Sequence, residues 1–368
     1  MIRSWISRET DVADMRNLWL LSLGALLVGF GAGWLVLSVV EISTSALAWV
    51  LIVIGGAIVA SAFVSWSRHV STAGIVSAFS VGLVAALLFF AGLPMISSAG
   101  PILRERPQFF SGEAAARAIS FEVDDVNGRI RVSTWGEARY NVSVLVKARD
   151  WSESDAARTL DEVGVTLDKS VSLERLGLVL RFSVPSLTWG RLEIDVNVTL
   201  PAGAVASLNV ATTNGGIFVG GVSGGALELD TVNGEIGLSG VSADVIRCST
   251  VNGRIVGQLW ASTMNASTVN GGIDLDIAGG HGGSYGFSAT NGAIDIRAAS
   301  SPDVGFRVDL GVTTGSVNVD VAGLTYEVNT ARHKVAQTAD FESRPVKIVI
   351  DATTVNGEVR LSSLAAGI

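Results

Sequence analysis

The residues with the best claim to chemistry are three carboxylates, Asp274, Asp276 and Asp295, each standing a few positions behind an Asn-Gly pair. Asp274 and Asp295 share the fourth position after Asn270 and Asn291, so any fold that superposes the two pairs makes them neighbours. Paired carboxylates can act as acid and base on a glycosidic bond, and clustered carboxylate oxygens can hold Ca²⁺. The plainer alternative is a row of outward polar residues that keeps a sheet soluble. A second candidate is the basic group Arg332, His333, Lys334 and Arg344, set around a stretch that breaks the surrounding pattern, as functional loops do. Its plainer alternative is a solvated cap. His69, His281 and His333 are scattered without ligand spacing, and one cysteine, Cys248, cannot build a zinc site. Nucleotide-binding and hydrolase fingerprints are missing as strand-to-helix elements. The expectation is a protein that is not an enzyme, with no catalytic residue, cofactor or firm metal site.

What would bring those aspartates together is a repeat. Ala211-Thr-Thr-Asn-Gly returns as Asp230-Thr-Val-Asn-Gly, Ser249-Thr-Val-Asn-Gly and Ser267-Thr-Val-Asn-Gly, with Asn214, Asn233, Asn252 and Asn270 spaced by 19, 19 and 18 residues. Weaker copies follow at Asn291-Gly292, Thr314-Gly315 and Asn356-Gly357. A period of about 20 residues signals stacked units. Around each Asn the apolar residues alternate with polar ones, as in Leu227, Leu229, Ile236 and Leu238 around Asn233, so each copy reads as strand, corner, strand. Two short strands cannot bury an apolar face alone, whereas identical units stacked edge to edge share one core. The expected fold is a β-solenoid over 206–364, with Asn214, Asn233, Asn252, Asn270, Asn291 and Asn356 forming a hydrogen-bonded corner ladder. A β-sandwich of Asn-Gly hairpins is the alternative.

Ahead of the repeats, residues 118–205 hold a divergent copy at Asp125-Val-Asn-Gly128, further alternating strands, and a helix opened by Ser152-Glu-Ser-Asp. Ala156, Leu160 and Val163 give that helix an apolar stripe, suited to capping one end of the stack. The strand end Val196-Asn-Val-Thr-Leu-Pro-Ala-Gly203, leading into Leu-x-Val-x-Thr-x-Asn-Gly-x-Ile repeats, resembles the DUF4097 group of adhesin-like domains over roughly Ala118 to Leu364. That resemblance implies an extracytoplasmic, repeat-built module and brings no catalytic residues with it.

Composition divides the chain near residue 100. Of the 26 Lys and Arg and 34 Asp and Glu, only Arg3, Arg8, Arg16, Arg68, Glu9, Asp11, Asp14 and Glu41 precede that point, so the distal part carries the net charge of −8. It lacks a basic stripe, which excludes nucleic acid as a partner. Residues 17–40, 46–66 and 73–96 are uncharged apolar runs of membrane-spanning length, apart from the flanking loops. The expected organisation is a cytoplasmic tail at 1–16, three transmembrane helices, a linker at 97–117, and a C-terminal domain outside, following the basic residues on the tail side. Gly29 and Gly33 allow close helix packing, so oligomerisation through the helices is open. Expected partners are the lipid bilayer and an envelope polysaccharide or another surface protein. The expected function is a membrane-anchored, non-enzymatic adhesin-like module; an envelope sensor or scaffold and a carbohydrate-active solenoid are the alternatives.

Overall fold

The computed structural model of the protein describes residues 102–114, 118–185 and 191–364. The alternation seen in the sequence folds as strands β1 (Ile102–Glu113), β2 (Ala118–Asn127), β3 (Ile130–Trp135), β4 (Arg139–Asp150), β5 (Gly164–Val171), β6 (Arg175–Ser183), β7 (Leu192–Pro201), β8 (Val205–Asn214) and β9 (Ile217–Gly220). These are followed by β10 (Ala226–Thr231), β11 (Ile236–Thr250), β12 (Ile255–Asn270), β13 (Ile273–Ile277), β14 (Gly283–Asn291), β15 (Ile294–Ala299), β16 (Val304–Asp320), β17 (Leu324–Asn329), β18 (His333–Thr338) and β19 (Val346–Leu364). One helix, α1 (Glu153–Asp161), interrupts them.

Each coil has a leg before its Asn corner and a leg after it. The first legs pair in parallel in the order β6, β2, β8, β10, β11, β12, β14, β19 and β16. The second legs pair in parallel as β7, β3, β9, β11, β12, β13, β15, β19 and β16. Parallel pairing at the repeat spacing rules out the sandwich of hairpins, whose neighbours would run antiparallel. Between the legs lies a core of aligned rows. Ile130, Ile217, Ile236, Ile255, Ile273, Ile294 and Val359 are all buried, one per coil. Volumes alternate where bulk is large: Phe287 sits in register between Ala266 and Ala352. Small neighbours make room for the ring at interior packing density.

Spatial order departs from chain order at two places: β6 and β7 stack outside β2 and β3 at one end, and the second departure is at the other. β19 lies between β15 and β16 on the second-leg side and between β14 and β16 on the first, so the Asn356 coil precedes the Thr314 coil in the stack. The reason is chemical. Thr314 has no amide to accept and donate in turn, so it fits the end of an amide ladder rather than its interior.

The ladder itself is continuous. Asn214 Nδ2 donates to Asn127 Oδ1 at 2.7 Å, Asn233 to Asn214 at 2.8 Å, Asn252 to Asn233 at 2.7 Å and Asn270 to Asn252 at 2.9 Å. Asn291 then donates to Asn270 at 3.0 Å and Asn356 to Asn291 at 2.9 Å. Two positions earlier, buried threonines bond the corner glycine of the preceding coil: Thr231 Oγ1 to Gly215 O, Thr250 to Gly234 O, Thr268 to Gly253 O and Thr354 to Gly292 O, at 2.9 to 3.1 Å. The glycines are required by close approach. A Cβ at Gly234, Gly253 or Gly292 would run into the carbonyl of the corner glycine one coil below.

The ends are closed by antiparallel strands. At one end β5 pairs with β6, while β4 pairs with β7 and β1 with β4. Helix α1 packs on β1 and β4, its start capped by Ser152 Oγ accepting from the Asp155 amide, with Ala156, Leu160 and Val163 buried. At the other end the β17–β18 hairpin pairs with the first leg of β16. Covered edges remove the unpaired backbone groups that invite aggregation.

Two expectations need correction. The stretch expected as a linker, 97–117, contains β1, an edge strand that pairs only with β4 among the described residues. Its Pro107, Arg104 and Arg106 read as loop chemistry, yet proline and charge are what an edge strand tolerates. The fold class with three membrane helices is corrected to a β-rich fold with one short α-helix, because no helix among the described residues is long and apolar enough to cross a membrane. The spans at 17–40, 46–66 and 73–96 and the tail at 1–16 lie outside the described residues, as do the bilayer contact and helix-driven oligomerisation expected from them.

Candidate binding face

Outward residues of the second legs line up across the sheet because the pairings keep one register through these positions, the β11–β12 pair shifting only beyond Ser239. One row runs Asn197, Arg131, Phe218, Gly237, Val256, Asp274 and Asp295. A parallel row holds Asp276 beside Arg297. The stack therefore does bring Asp274 and Asp295 side by side, but it also delivers a guanidinium to them. Arg297 Nη2 contacts Asp274 Oδ1 at 2.6 Å and its Nε contacts Asp276 Oδ1 at 2.5 Å. Arg360, one coil further, lies 3.6 Å from Asp295. Carboxylates already paired to arginine are poor ligands for a cation. No group of three or more His, Cys, Asp or Glu side chains among the described residues forms a metal site. Burial acts against the charge of Arg297, but the two aspartates outweigh it and raise its pKa further.

At the other end of this face Lys147 binds Asp195 Oδ2 at 2.6 Å and Glu193 Oε1 at 2.9 Å. Those bonds raise the Lys147 pKa. Burial opposes ionisation of Asp195, yet hydrogen bonds from Lys147 and the Arg129 amide prevail and hold its carboxyl below the usual range. The face is thus a fabric of ion pairs on a rigid backbone.

The basic group expected as a loop is dispersed over β18 and the turn after it. His333 Nε2 lies 2.9 Å from Asp309 Oδ1, and Lys334 donates to Asn329 Oδ1 at 2.6 Å while its ammonium sits 5.5 Å from the Tyr326 ring centre. Arg344 lies 3.7 Å from Asp340. Arg332 is exposed at the hairpin tip, where its carbonyl accepts from the Val312 amide. Of these side-chain bonds only that of His333 reaches the last coil, and the four side chains do not converge on one point. His281 stacks at 4.8 Å on Trp260, far in sequence from any other histidine, and His69 lies outside the described residues. Cys248 is buried, and burial pushes its thiol pKa upward, which makes it inert.

Residues 187–362 match the family model described as Toastrack DUF4097. The Toastrack match is shorter than the resemblance drawn from sequence, which began at Ala118; β2 to β6 belong to the same stack but lie before the matched region. No curated protein matches the chain. Among solved structures, a candidate cell adhesion protein from Clostridium sporogenes is similar at 11% identity, covering 71% of this chain and 100% of that one, with a TM-score of 0.35. A candidate adhesin from Bacteroides fragilis is similar at 10% identity over 72% of this chain and 98% of that one, TM-score 0.31. A candidate lipid-binding protein from Parabacteroides distasonis is similar at 10% identity over 70% and 97%, TM-score 0.30.

Phe218 and Arg131 escaped the sequence reading. The signal for them is positional: Phe218 is an aromatic residue at the outward place that other copies give to Gly237, Val256, Asp274 and Asp295.

Proposed function

We propose that the Toastrack stack is a non-enzymatic, adhesin-like module of the cell surface that binds extended polymers along its outer sheets. The observation that carries this reading is the shared register of the outward row from Asn197 to Asp295. Side chains recur at the coil spacing of about 4.8 Å, on a backbone that three corner ladders hold fixed. Such a face meets a repeating ligand with many weak, equivalent contacts, and their sum is strong only when the ligand is long. The ion-paired state of Asp274, Asp276 and Asp295 supports binding over acid-base catalysis, since general acid and base need carboxyls whose protons are free to move. Asn197-Val-Thr and Asn265-Ala-Ser have the form of N-glycosylation acceptors, and both asparagines are exposed, where polymer or glycan can be accommodated.

The test is a binding screen of the purified protein against polysaccharides of graded length and charge. Saturable, length-dependent binding without chain cleavage is expected. Hydrolysis of any polymer, or affinity independent of length, would overturn the reading.

A further inference from the structure

The outer face of the second legs carries one groove, and its chemistry is narrower than that of the face as a whole. Phe218 lies flat against the sheet because its neighbours have no side chains: a Cβ at Gly216 or at Gly237 would fall 2.7 Å from the ring. Gly220 and Gly237 help to leave a depression of about 430 Å³ around it, within the range of small-molecule sites. Asn197, Arg131 and Ser133 stand on one wall; Glu235, Ser239 and Val256 stand on the other.

The guanidinium carbons of Arg129 and Arg131 lie 5.9 and 6.0 Å from the ring centre. Among the described residues neither guanidinium is in a salt bridge, although the chain is acidic overall and Arg297 and Arg360 on the same face are both paired. Both arginines are exposed, and attraction to the ring face leaves guanidinium N–H groups free to donate to a ligand. Those donors fit a carboxylate, which guanidinium binds through paired hydrogen bonds. The flat ring fits the C–H face of a pyranose. Asn197, Ser133, Ser239 and Glu235 supply the donors and acceptors that ring hydroxyls need.

We propose that this groove is a subsite for a uronic acid unit of an acidic polysaccharide, with the sugar ring seated on Phe218 and its carboxylate held by Arg131 and Arg129. The proposal rests on the polymer-binding reading above and gives it an address. A neutral sugar would use the ring but leave the guanidinia idle; an acidic peptide would use the guanidinia and leave the ring and the hydroxyl partners idle.

The experiment measures equilibrium binding of the full chain to polygalacturonate, to dextran and to polyglutamate of matched length. Polygalacturonate should bind best, with added salt weakening it. Phe218→Ala and Arg131→Gln should each weaken it by about tenfold or more, the size of a central contact residue. Arg158→Ala, on helix α1 and in neither outward row, removes the same charge and should leave it unchanged. Arg131→Gln keeps the aromatic ring in place, so a matching thermal unfolding curve separates lost binding from lost folding. Equal affinity for polyglutamate would replace the sugar with an acidic peptide and overturn the proposal. Undiminished binding in both groove variants would overturn the groove while sparing the polymer-binding reading, and absence of binding to every polysaccharide tested would remove both.

Discussion

Thr231 and Asp125 occupy equivalent places in two coils, two positions before the corner Asn, and they are satisfied in opposite ways. Thr231 donates its hydroxyl proton to the Gly215 carbonyl. Asp125, equally buried, accepts from the Val126 amide through Oδ1, while its Oδ2 has no partner among the described residues. Thr212, opposite Asp125 in the register, also has an unpartnered hydroxyl. Burial pushes the Asp125 carboxyl up to about 7, with Asp124 and Asp195 adding repulsion against the amides of Val126 and Asn127. The lesson is that this position calls for a neutral side chain. Four later coils have a threonine that donates at every pH and the Asn291 coil has Ala289, whereas the first Asn corner is neutral only when Asp125 holds a proton.

The largest way to break the comparison is to put a charge in the regular core. Ile236→Asp places a carboxylate in a row with no exposure at all, and should cost several kcal/mol in the purified protein. Glu235→Lys, the neighbouring outward residue, should change stability by less than about 0.5 kcal/mol. Equal unfolding curves for the two would show that inward and outward are misassigned.

Next comes Asp125→Thr, which makes the first corner like the others. A carboxyl whose folded pKa lies above its ordinary 3.8 stabilises the fold fully below that value. That stability is lost as pH rises towards about 7. The variant should flatten this loss and gain ~2–4 kcal/mol at pH 8. Unfolding midpoints between pH 4 and pH 8 check it; parallel curves for variant and parent would remove Asp125 from the account.

A smaller effect belongs to the threonine ladder. Thr250→Val keeps shape but leaves the Gly234 carbonyl without its 3.1 Å donor, at a cost of about 1–2 kcal/mol. Thr213→Val, one position nearer the corner and pointing outward, should be close to neutral, and denaturant midpoints for the pair decide whether the buried bond is the cause.

How much of this was legible depends on range. The Asn spacing and the alternation around it are local and periodic, so the coil, its inward rows and the capping helix could be read directly. The corner glycines were readable as turn residues for the wrong reason: Gly215, Gly234, Gly253, Gly271 and Gly292 are absent from the positive-φ glycines, and what excludes a side chain is the coil below. The pairing of Arg297 with Asp274 and Asp276 joins residues 23 and 21 positions apart, so it appears only once register is known. β1 was hidden because an edge strand tolerates loop-like residues. The insertion of β19 inside the stack was hidden because chain order is the default expectation, although the Asn at 356 and its lack at 314 carried the answer.

The claim on which everything else rests is that the corner asparagines act as one hydrogen-bonded column. A double-mutant cycle on Asn233→Asp and Asn252→Asp tests it. In Asn233→Asp alone the Asn252 amide still donates to the new carboxylate, and in Asn252→Asp alone the Asn270 amide does the same. Asn252→Asp by itself already removes the Nδ2 donor to Asn233; only the double change sets like charges about 5 Å apart at the coil spacing. Unfolding by denaturant should give an unfavourable coupling of about 0.5–1.5 kcal/mol that shrinks in high salt. A coupling indistinguishable from zero at low salt, with both single variants as stable as the parent, would contradict the column.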